Sequence, residues 1–331
     1  MDTQRRLPVE IAALGSYLPE RVLTNGDLER MVDTTDDWIT RRTGIKERHI
    51  AAPDQATSDL AVAAAREALA SAGLEASELD AILVATCTPD HAFPATGCLV
   101  QAAIGATNAM ACDLEAACSG FLFGLSYAGG LIVSGMARNV LLIGAETLSR
   151  ATDYSDRRSC ILFGDAAGAA VLRPSQNGGE VLYTELGSDG SRPEILRVPA
   201  GGSRLPASHE TVDQRAHYMQ LEGRKVFKLA VNKLIELMER LPQRTGIPLE
   251  DIRMVIPHQS NVRIINSAFE RLGLDVSKAY MNMDRVGNTS AASIPLAMAE
   301  AVAQGHLRRG DLALLLAFGG GLTWGSILLR Y

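Results

Sequence analysis

Three side chains stand where strands and helices change over and carry groups able to do chemistry. They are Cys118 in Ala116-Ala117-Cys118-Ser119-Gly120, His258 in Pro257-His258-Gln259-Ser260-Asn261, and Asn288 in Gly287-Asn288-Thr289-Ser290. Residues 113–117 read as a strand end and Ser119-Gly120-Phe121 as the start of an apolar helix, so Cys118 falls at a helix N-terminus. There the helix dipole and unpaired N–H groups favour the thiolate, the reactive form. A cysteine so placed also serves as a small core residue. His258 closes an apolar strand over 252–256 after Pro257, which delivers its ring either to a pocket edge or to a structural role. Asn288 alone reads as a helix N-cap. Taken together, Cys, His and Asn on the openings of related elements would face one another across a pseudo-two-fold.

That relation comes from a faint internal repeat, sought because an overlooked repeat misassigns a fold. Residues 79–87 and 250–258 share an acidic residue, a mostly apolar strand and a reactive side chain at its end, Cys87 in one and His258 in the other. Each is followed by a helix-like segment. Cys118 opens a Gly/Ala-rich helix ending near Gly135, with a buried strand over 139–144. Asn288 opens a second helix that Gly305 breaks, with a strand over 311–318. Near-continuous apolar strands alternating with helices predict parallel strands covered on both faces, in two similar α/β halves. The polar Pro/Gly stretch at 173–180 divides them into residues 1–173 and 174–331, and residues 187–213 form a loop-rich surface excursion.

The composition agrees. At about 150 residues per domain, 331 residues make two domain-sized units, and 47% hydrophobic with 21% charged residues is the globular balance. A net charge of −6 and a pI near 5.6 argue against nucleic-acid and acidic-membrane binding. Five cysteines without a CxxC pair point to a reducing cytoplasm. Arg5-Arg6 is not followed by an uninterrupted apolar run, so no export signal is expected. Residues 116–137 and 312–329 are long enough to suggest membrane spans. The glycines of the first, and Gly319-Gly320-Gly321 in the second, make them buried soluble elements, the second as two strands joined by a turn. No phosphate loop, dinucleotide fingerprint or zinc pair is present: His209-Glu210 lacks its second histidine, and Asp213 stands there.

Four motifs in order carry a resemblance: Ala116-Ala117-Cys118-Ser119-Gly120, Pro257-His258-Gln259-Ser260-Asn261, Gly287-Asn288-Thr289-Ser290-Ala291-Ala292, and Ala317-Phe318-Gly319-Gly320-Gly321-Leu322-Thr323-Trp324-Gly325. Over essentially the whole length the chain resembles β-ketoacyl-acyl carrier protein synthase III, of the thiolase superfamily. The resemblance implies an α/β, thiolase-like, five-layered αβαβα fold of two pseudo-two-fold-related halves, in a homodimer. It implies a decarboxylative Claisen condensation that initiates fatty-acid synthesis. The acyl group of a short acyl-CoA, acetyl-CoA favoured, passes to Cys118. Malonyl-acyl carrier protein then loses CO2 and attacks that thioester, and the coenzyme A thioester is substrate, with no cofactor and no metal.

Within that scheme the amides of Cys118 and Gly320 form the oxyanion hole. His258 and Asn288 act as neutral donors to the malonyl enolate. By motif position Trp38 and Arg42 sandwich the adenine of coenzyme A, joined by Arg157, Thr34 and Asn261. On residues alone, Trp38 also suits an ordinary half-buried helix site and the arginines a solvated face. Phe93, in Asp90-His91-Ala92-Phe93-Pro94, matches the position that reaches a partner subunit's acyl pocket, and Phe318 is assigned to the same pocket. Lys228, Arg263 and Arg271 are candidates for docking the acidic carrier, although Glu270 interrupts the familiar pair of cations. Two other readings stand beside this one: an acyltransferase or specialised-metabolite synthase, and a non-catalytic dimer partner.

Overall fold

The computed structural model describes residues 6–176 and 178–331; Arg5 and Asn177, in the two stretches read above, lie outside the described residues. The first half runs β1 (Val9–Tyr17), β2 (Arg21–Thr24), α1 (Asn25–Glu29), α2 (Asp36–Thr43), β3 (Glu47–Ile50), α3 (Thr57–Ala72), β4 (Ala81–Ala85), α4 (Thr96–Ile104), β5 (Met110–Leu114), α5 (Gly120–Val133), β6 (Val140–Glu146) and β7 (Ala166–Pro174). The second runs β8 (Glu180–Ser188), β9 (Leu196–Arg197), α6 (His209–Asp213), β10 (Gln220–Leu221), α7 (Gly223–Thr245), β11 (Met254–Pro257), α8 (Val262–Leu272), α9 (Met283–Val286), α10 (Ser293–Ala303), β12 (Leu312–Gly319) and β13 (Thr323–Arg330).

Two sheets organise these elements, in the orders β1-β7-β6-β4-β5 and β8-β13-β12-β11. Their pairing repeats: an antiparallel β1·β7 and β7·β6 followed by a parallel β6·β4 matches β8·β13, β13·β12 and then parallel β12·β11. The first sheet draws its strands from residues 9–174 and the second from 180–330. We propose on this ground a division into halves between Pro174 and Glu180, just past the expected 173/174, because Pro174 is still paired in β7.

Side-chain alternation builds the layers. Along β12, Ala313, Leu315 and Ala317 face inward to α5 and α10, while Leu314 and Leu316 face outward to α7 and α8. Both faces are covered, which is why the strand reads as one apolar run. On the far side, α3 and α4 close the first sheet through Leu60, Ala64, Ala68 and Val100 against Ile82, Val84, Ile143 and Val171. The result is the five-layered thiolase-like αβαβα arrangement, with α5 and α10 as the shared middle layer. Among the described residues no helix is long and apolar enough to cross a membrane. The middle layer sits directly on backbone: a Cβ on Gly144 of β6 would lie 2.2 Å from the Ala291 carbonyl oxygen, so only glycine lets the turn leading into α10 come this close.

Two expectations need adjusting. The surface excursion starts after Ser188, because Gly187 is still paired with Trp324 of β13, and it contains β9, which pairs with β10. Cys118 lies in a 3-10 turn, Ala117–Ser119, ahead of α5 rather than in the first turn of an α-helix.

Candidate active site

The turn carrying Cys118 is shaped by Ala117, whose φ of 44° is left-handed without a glycine to relieve it. Cys118 itself is 9% exposed. The turn after β12 is pressed against it: a Cβ on Gly319 would come 2.8 Å from the Cys118 amide nitrogen. The Thr323 hydroxyl holds this juxtaposition, lying 2.8 Å from the Ala116 carbonyl and 3.0 Å from the Gly320 carbonyl. The Gly319-Gly320 backbone is thereby packed beside the nucleophile, where a pair of amides would have to be to receive an oxyanion.

The second half brings its own turn to the same place. Asn288 is fixed by backbone bonds, its N–H donating to the Leu162 carbonyl at 2.8 Å and its carbonyl accepting from Gly164 at 3.0 Å. Its Oδ1 accepts the Ser290 N–H at 3.0 Å, which leaves Nδ2 as the end available to donate. The following turn, Ser290–Ala292, packs on the start of α5, with Ala291 Cβ 3.5 Å from where a Gly120 Cβ would stand. His258 extends β11, its N–H donating to the Leu316 carbonyl at 2.7 Å, and its Nδ1 lies 2.7 Å from the hydroxyl of Ser293, the first residue of α10. Cys118, His258 and Asn288 therefore stand on three abutting turns.

The electrostatics differ from the expectation of a ready thiolate. Burial pushes the Cys118 thiol up to about 12, with Glu146 and Glu115 adding to the rise, while Ser290 and its own amide oppose it. A buried site with no paired cation outweighs the opening of one helix. Burial likewise pushes the imidazole of His258 down to about 4 from an ordinary 6.5, so the ring is neutral at physiological pH. The unfolded chain takes up a proton on this histidine below about 6.5 and the folded chain does so only near 4. Stability is therefore full above 6.5 and falls as the pH drops through that window, by ~3 kcal/mol at most from this group. Thermal melts between pH 7 and 4 should show part of the acid slope removed by His258→Asn; an unchanged slope would reject a buried neutral histidine.

In α2, the Trp38 ring carries two guanidinium groups, Arg42 at 5.1 Å and Arg157 at 5.4 Å from its centroid. Arg157 also donates to the Asp33 carbonyl at 2.7 Å. Asn261 caps α8 by accepting the Arg263 N–H and donates to the Arg42 carbonyl. The Thr34 hydroxyl is buried with no partner, a polar atom waiting for one. The five residues expected to hold a nucleotide thus border one another. Lys228, Arg263 and Arg271 are all exposed, on α7 and α8. Arg263 stacks on Phe227, while Arg271 lines a surface groove of about 300 Å³ with Glu236 and Glu239, so cations and carboxylates alternate there. Phe318 points outward from β12 and packs with Ala230, Val231, Leu234 and Ile264. Phe93 is 87% exposed.

Four residues of the site escaped the sequence reading. Ser293 and Ser290 look like ordinary helix-start residues, and Thr323 reads only as strand. Glu146 had a signal, a carboxylate ending the apolar run Val140–Glu146, and it is fully buried.

Comparison with known proteins agrees with the geometry. Residues 112–190 match the family model described as 3-oxoacyl-[acyl-carrier-protein (ACP)] synthase III, and residues 243–331 match its C-terminal model. The chain is 52% identical over 326 residues to the β-ketoacyl-[acyl-carrier-protein] synthase III of Caldanaerobacter subterraneus subsp. tengcongensis, spanning 98% of both chains. It is 52% identical over 325 residues to that of Solibacter usitatus, spanning 97% of this chain and 98% of the relative. The crystal structure of 3-oxoacyl-[acyl-carrier-protein] synthase III from Aquifex aeolicus VF5 superposes with a TM-score of 0.90 at 47% identity, covering 98% of this chain and all of the other. With a cysteine, a neutral histidine and an asparagine on abutting turns of a doubled α/β fold, the chain belongs to the β-ketoacyl-[acyl-carrier-protein] synthase III family.

Proposed function

We propose that the protein carries out the decarboxylative Claisen condensation that starts a fatty acyl chain, with a short acyl-CoA as primer and malonyl-acyl carrier protein as extender. The observation that carries this reading is the buried Cys118 placed beside two uncharged groups, a neutral His258 and an Asn288 whose Oδ1 is already bonded, leaving Nδ2 to donate. The Cys118 sulfur attacks the primer thioester, and the amides of Cys118 and Gly320 receive the developing oxyanion. Malonyl thioester then binds with its carbonyl oxygen toward His258 Nε2 and Asn288 Nδ2. As CO2 leaves, these donors hold the enolate oxygen, and the enolate carbon attacks the acyl-cysteine. Ser293, donating to His258 Nδ1, keeps the proton on Nε2. The chemistry so written uses no metal or prosthetic group, and coenzyme A enters as part of the substrate.

Trp38, Arg42 and Arg157, with Thr34 and Asn261, would bind coenzyme A, the flat base stacking on the indole. Each guanidinium lies directly over the ring, too close for a base to slip between it and the indole, so one must swing aside for the base to stack there. Trp38→Ala should raise KM for acyl-CoA about 10- to 100-fold, the worth of one base stack, and leave kcat nearly unchanged. A loss confined to kcat would reject this placement.

Lys228, Arg263 and Arg271 are the proposed carrier-docking cations, at solvent-exposed positions suited to an acidic partner. A homodimer is part of the same reading. Strand β5 lies at the edge of its sheet, the nearby Phe93 is exposed, and a second copy would cover both. There Phe93 would shorten the partner's acyl pocket, with Phe318 bordering the pocket from β12, and favour acetyl. Five free cysteines suit the cytoplasm. Transfer of the acyl group to some other nucleophile is disfavoured, because His258 and Asn288 would have no charge to hold.

The test is intact-protein mass after exposure to acyl-CoAs from acetyl to long-chain, followed by malonyl-acyl carrier protein. An adduct on Cys118 that discharges to a β-ketoacyl carrier is expected. An adduct indifferent to the malonyl chase would overturn the condensation.

A further inference from the structure

One buried cation is not used by the condensation as written. Arg48, on β3, is wholly buried, and among the described residues no carboxylate pairs with it. Burial pulls its guanidinium down to about 10, so it stays charged at neutral pH. Its partners are neutral oxygens: Nη1 donates to the Leu23 carbonyl at 3.1 Å and to Asn25 Oδ1 at 2.9 Å, and Nη2 donates to the Ile161 carbonyl at 2.7 Å. Its buried Nε has no partner. As a stabilising device this is poor, because a methionine of similar length would fill the space with no charge to desolvate and no donor left over. What methionine could not do is hold acceptors from three segments in the fixed directions of a planar fork.

One prong of that fork leads to the turn of Asn288. Ile161 precedes Leu162, whose carbonyl accepts the Asn288 N–H at 2.8 Å, and Gly164, two residues further on, donates to the Asn288 carbonyl at 3.0 Å. The backbone of Asn288 therefore hangs on residues 162–164, beside the carbonyl that Arg48 Nη2 holds. The arginine stem is clasped by both segments, since a Cβ on Gly164 or on Gly287 would lie 3.0 Å from Arg48 Cβ. The other prong is anchored. Asn25, itself buried, donates from Nδ2 to Asp36 Oδ1 in α2 and to the Ile45 carbonyl, both at 2.8 Å, so its Oδ1 is fixed where Arg48 meets it.

We propose that Arg48 is a positioning residue for the condensation step: its fork fixes the segment 161–164 from which Asn288 hangs, and so sets the direction in which Asn288 Nδ2 is presented to the enolate oxygen. The proposal rests on the role given to Asn288 above. The bond from the Ser290 N–H to Asn288 Oδ1 lies within the turn itself and moves with it. The support from outside the turn comes from residues 162 and 164, and Arg48 ties their neighbour Ile161 to β2 and, through Asn25, to α2. Cys118 does not hang on this segment, because its own turn is held by the Thr323 hydroxyl and by the backbone at Gly319. Loss of the fork therefore falls on condensation and spares acylation.

The test compares wild type, Arg48→Gln, Arg48→Lys, Asn288→Asp and the double variant Arg48→Gln with Asn288→Asp. Each is acylated with saturating acetyl-CoA and then chased with malonyl-acyl carrier protein, the two steps being timed separately by intact mass. Amide hydrogen exchange at Asn288 and Gly164, measured without substrate, reports on the segment itself. Arg48→Gln should acylate near the wild-type rate and condense about 10- to 100-fold more slowly, the cost of displacing a reacting group by about 1 Å, with faster exchange at both amides. Arg48→Lys keeps the charge but not the fork, and should lie close to Arg48→Gln on both measures. In the double variant condensation should be no slower than in Asn288→Asp, since no donor is left to aim. A wild-type condensation rate in an Arg48→Gln protein that melts normally would overturn the proposal. So would equal losses in the two steps, or losses that add in the double variant. Should Arg48→Gln not fold, Arg48→Lys decides by the same rates. A wild type that takes up acetyl and fails to condense would reject the condensation reading instead. Exchange at Asn288 unaltered by Arg48→Lys would then overturn the support as well, and faster exchange would uphold it.

Discussion

Cys118→Ala removes the acyl adduct and lowers condensation by on the order of 10⁶-fold, the scale on which enzymes lose their nucleophile. Methyl in place of thiol fits the space, since the residue is small, buried and flanked by glycine backbone at Gly319 and Gly120. The turn is held by the Thr323 bond to Ala116 and by packing on Ser290–Ala292, neither of which involves the sulfur. The variant should therefore melt close to wild type and still bind acyl-CoA. Two measurements check this: intact mass after acetyl-CoA, expected to show no increment, and equilibrium binding, expected unchanged. A variant that still condensed acyl-CoA with malonyl carrier at the wild-type rate would sink the assignment of Cys118.

Asn288→Asp gives the second large effect, and it separates the two halves of the reaction. The aspartate retains an oxygen to accept the Ser290 N–H, so the local turn survives. What it loses is the Nδ2 donor, replaced by a charge facing the enolate oxygen. Removing one donor from such a site costs about 10²–10³-fold, and a like charge adds to that. Condensation should fall by at least this factor while acylation of Cys118, which makes no use of Nδ2, proceeds near the wild-type rate. The checking experiment is a burst of acyl-enzyme without turnover, quantified by mass. Equal losses in both steps would mean that Asn288 shapes the turn rather than holding the enolate.

How much of this was legible in the sequence depends on whether a residue's role is set by its own segment. Cys118, His258 and Asn288 sit where strand or helix chemistry changes within a few residues, and those changes were readable. So was the pair of strands on either side of Gly319-Gly320-Gly321, because glycines and apolar alternation mark a turn locally. The supporting partners were not readable. Ser293 meets His258 across 35 positions and Thr323 meets Ala116 across 207, distances at which no periodicity carries information. The burial of the Cys118 thiol is not legible for the same reason. A helix start is visible in sequence, but the burial that raises the thiol comes from segments remote in the chain, the turn after β12 and the turn Ser290–Ala292, packing against it. Arg271 reads as a cation, and only the structure sets Glu236 and Glu239 beside it.

The left-handed turns at Ala117 and Ser290 have a bearing on how such a protein can change over generations. Each open turn leads into one of the two middle helices, and each holds a side chain in a conformation costing about 1–3 kcal/mol. Glycine at either position would return part of that energy to the folded state, at 117 loosening the torsion that aims Cys118 and at 290 removing the serine hydroxyl altogether. Selection for heat tolerance and selection for turnover therefore pull in opposite directions at these two residues. A lineage moving to hotter conditions is expected to gain its stability elsewhere, in the outer helices and the sheet edges, and to leave the strained pair alone.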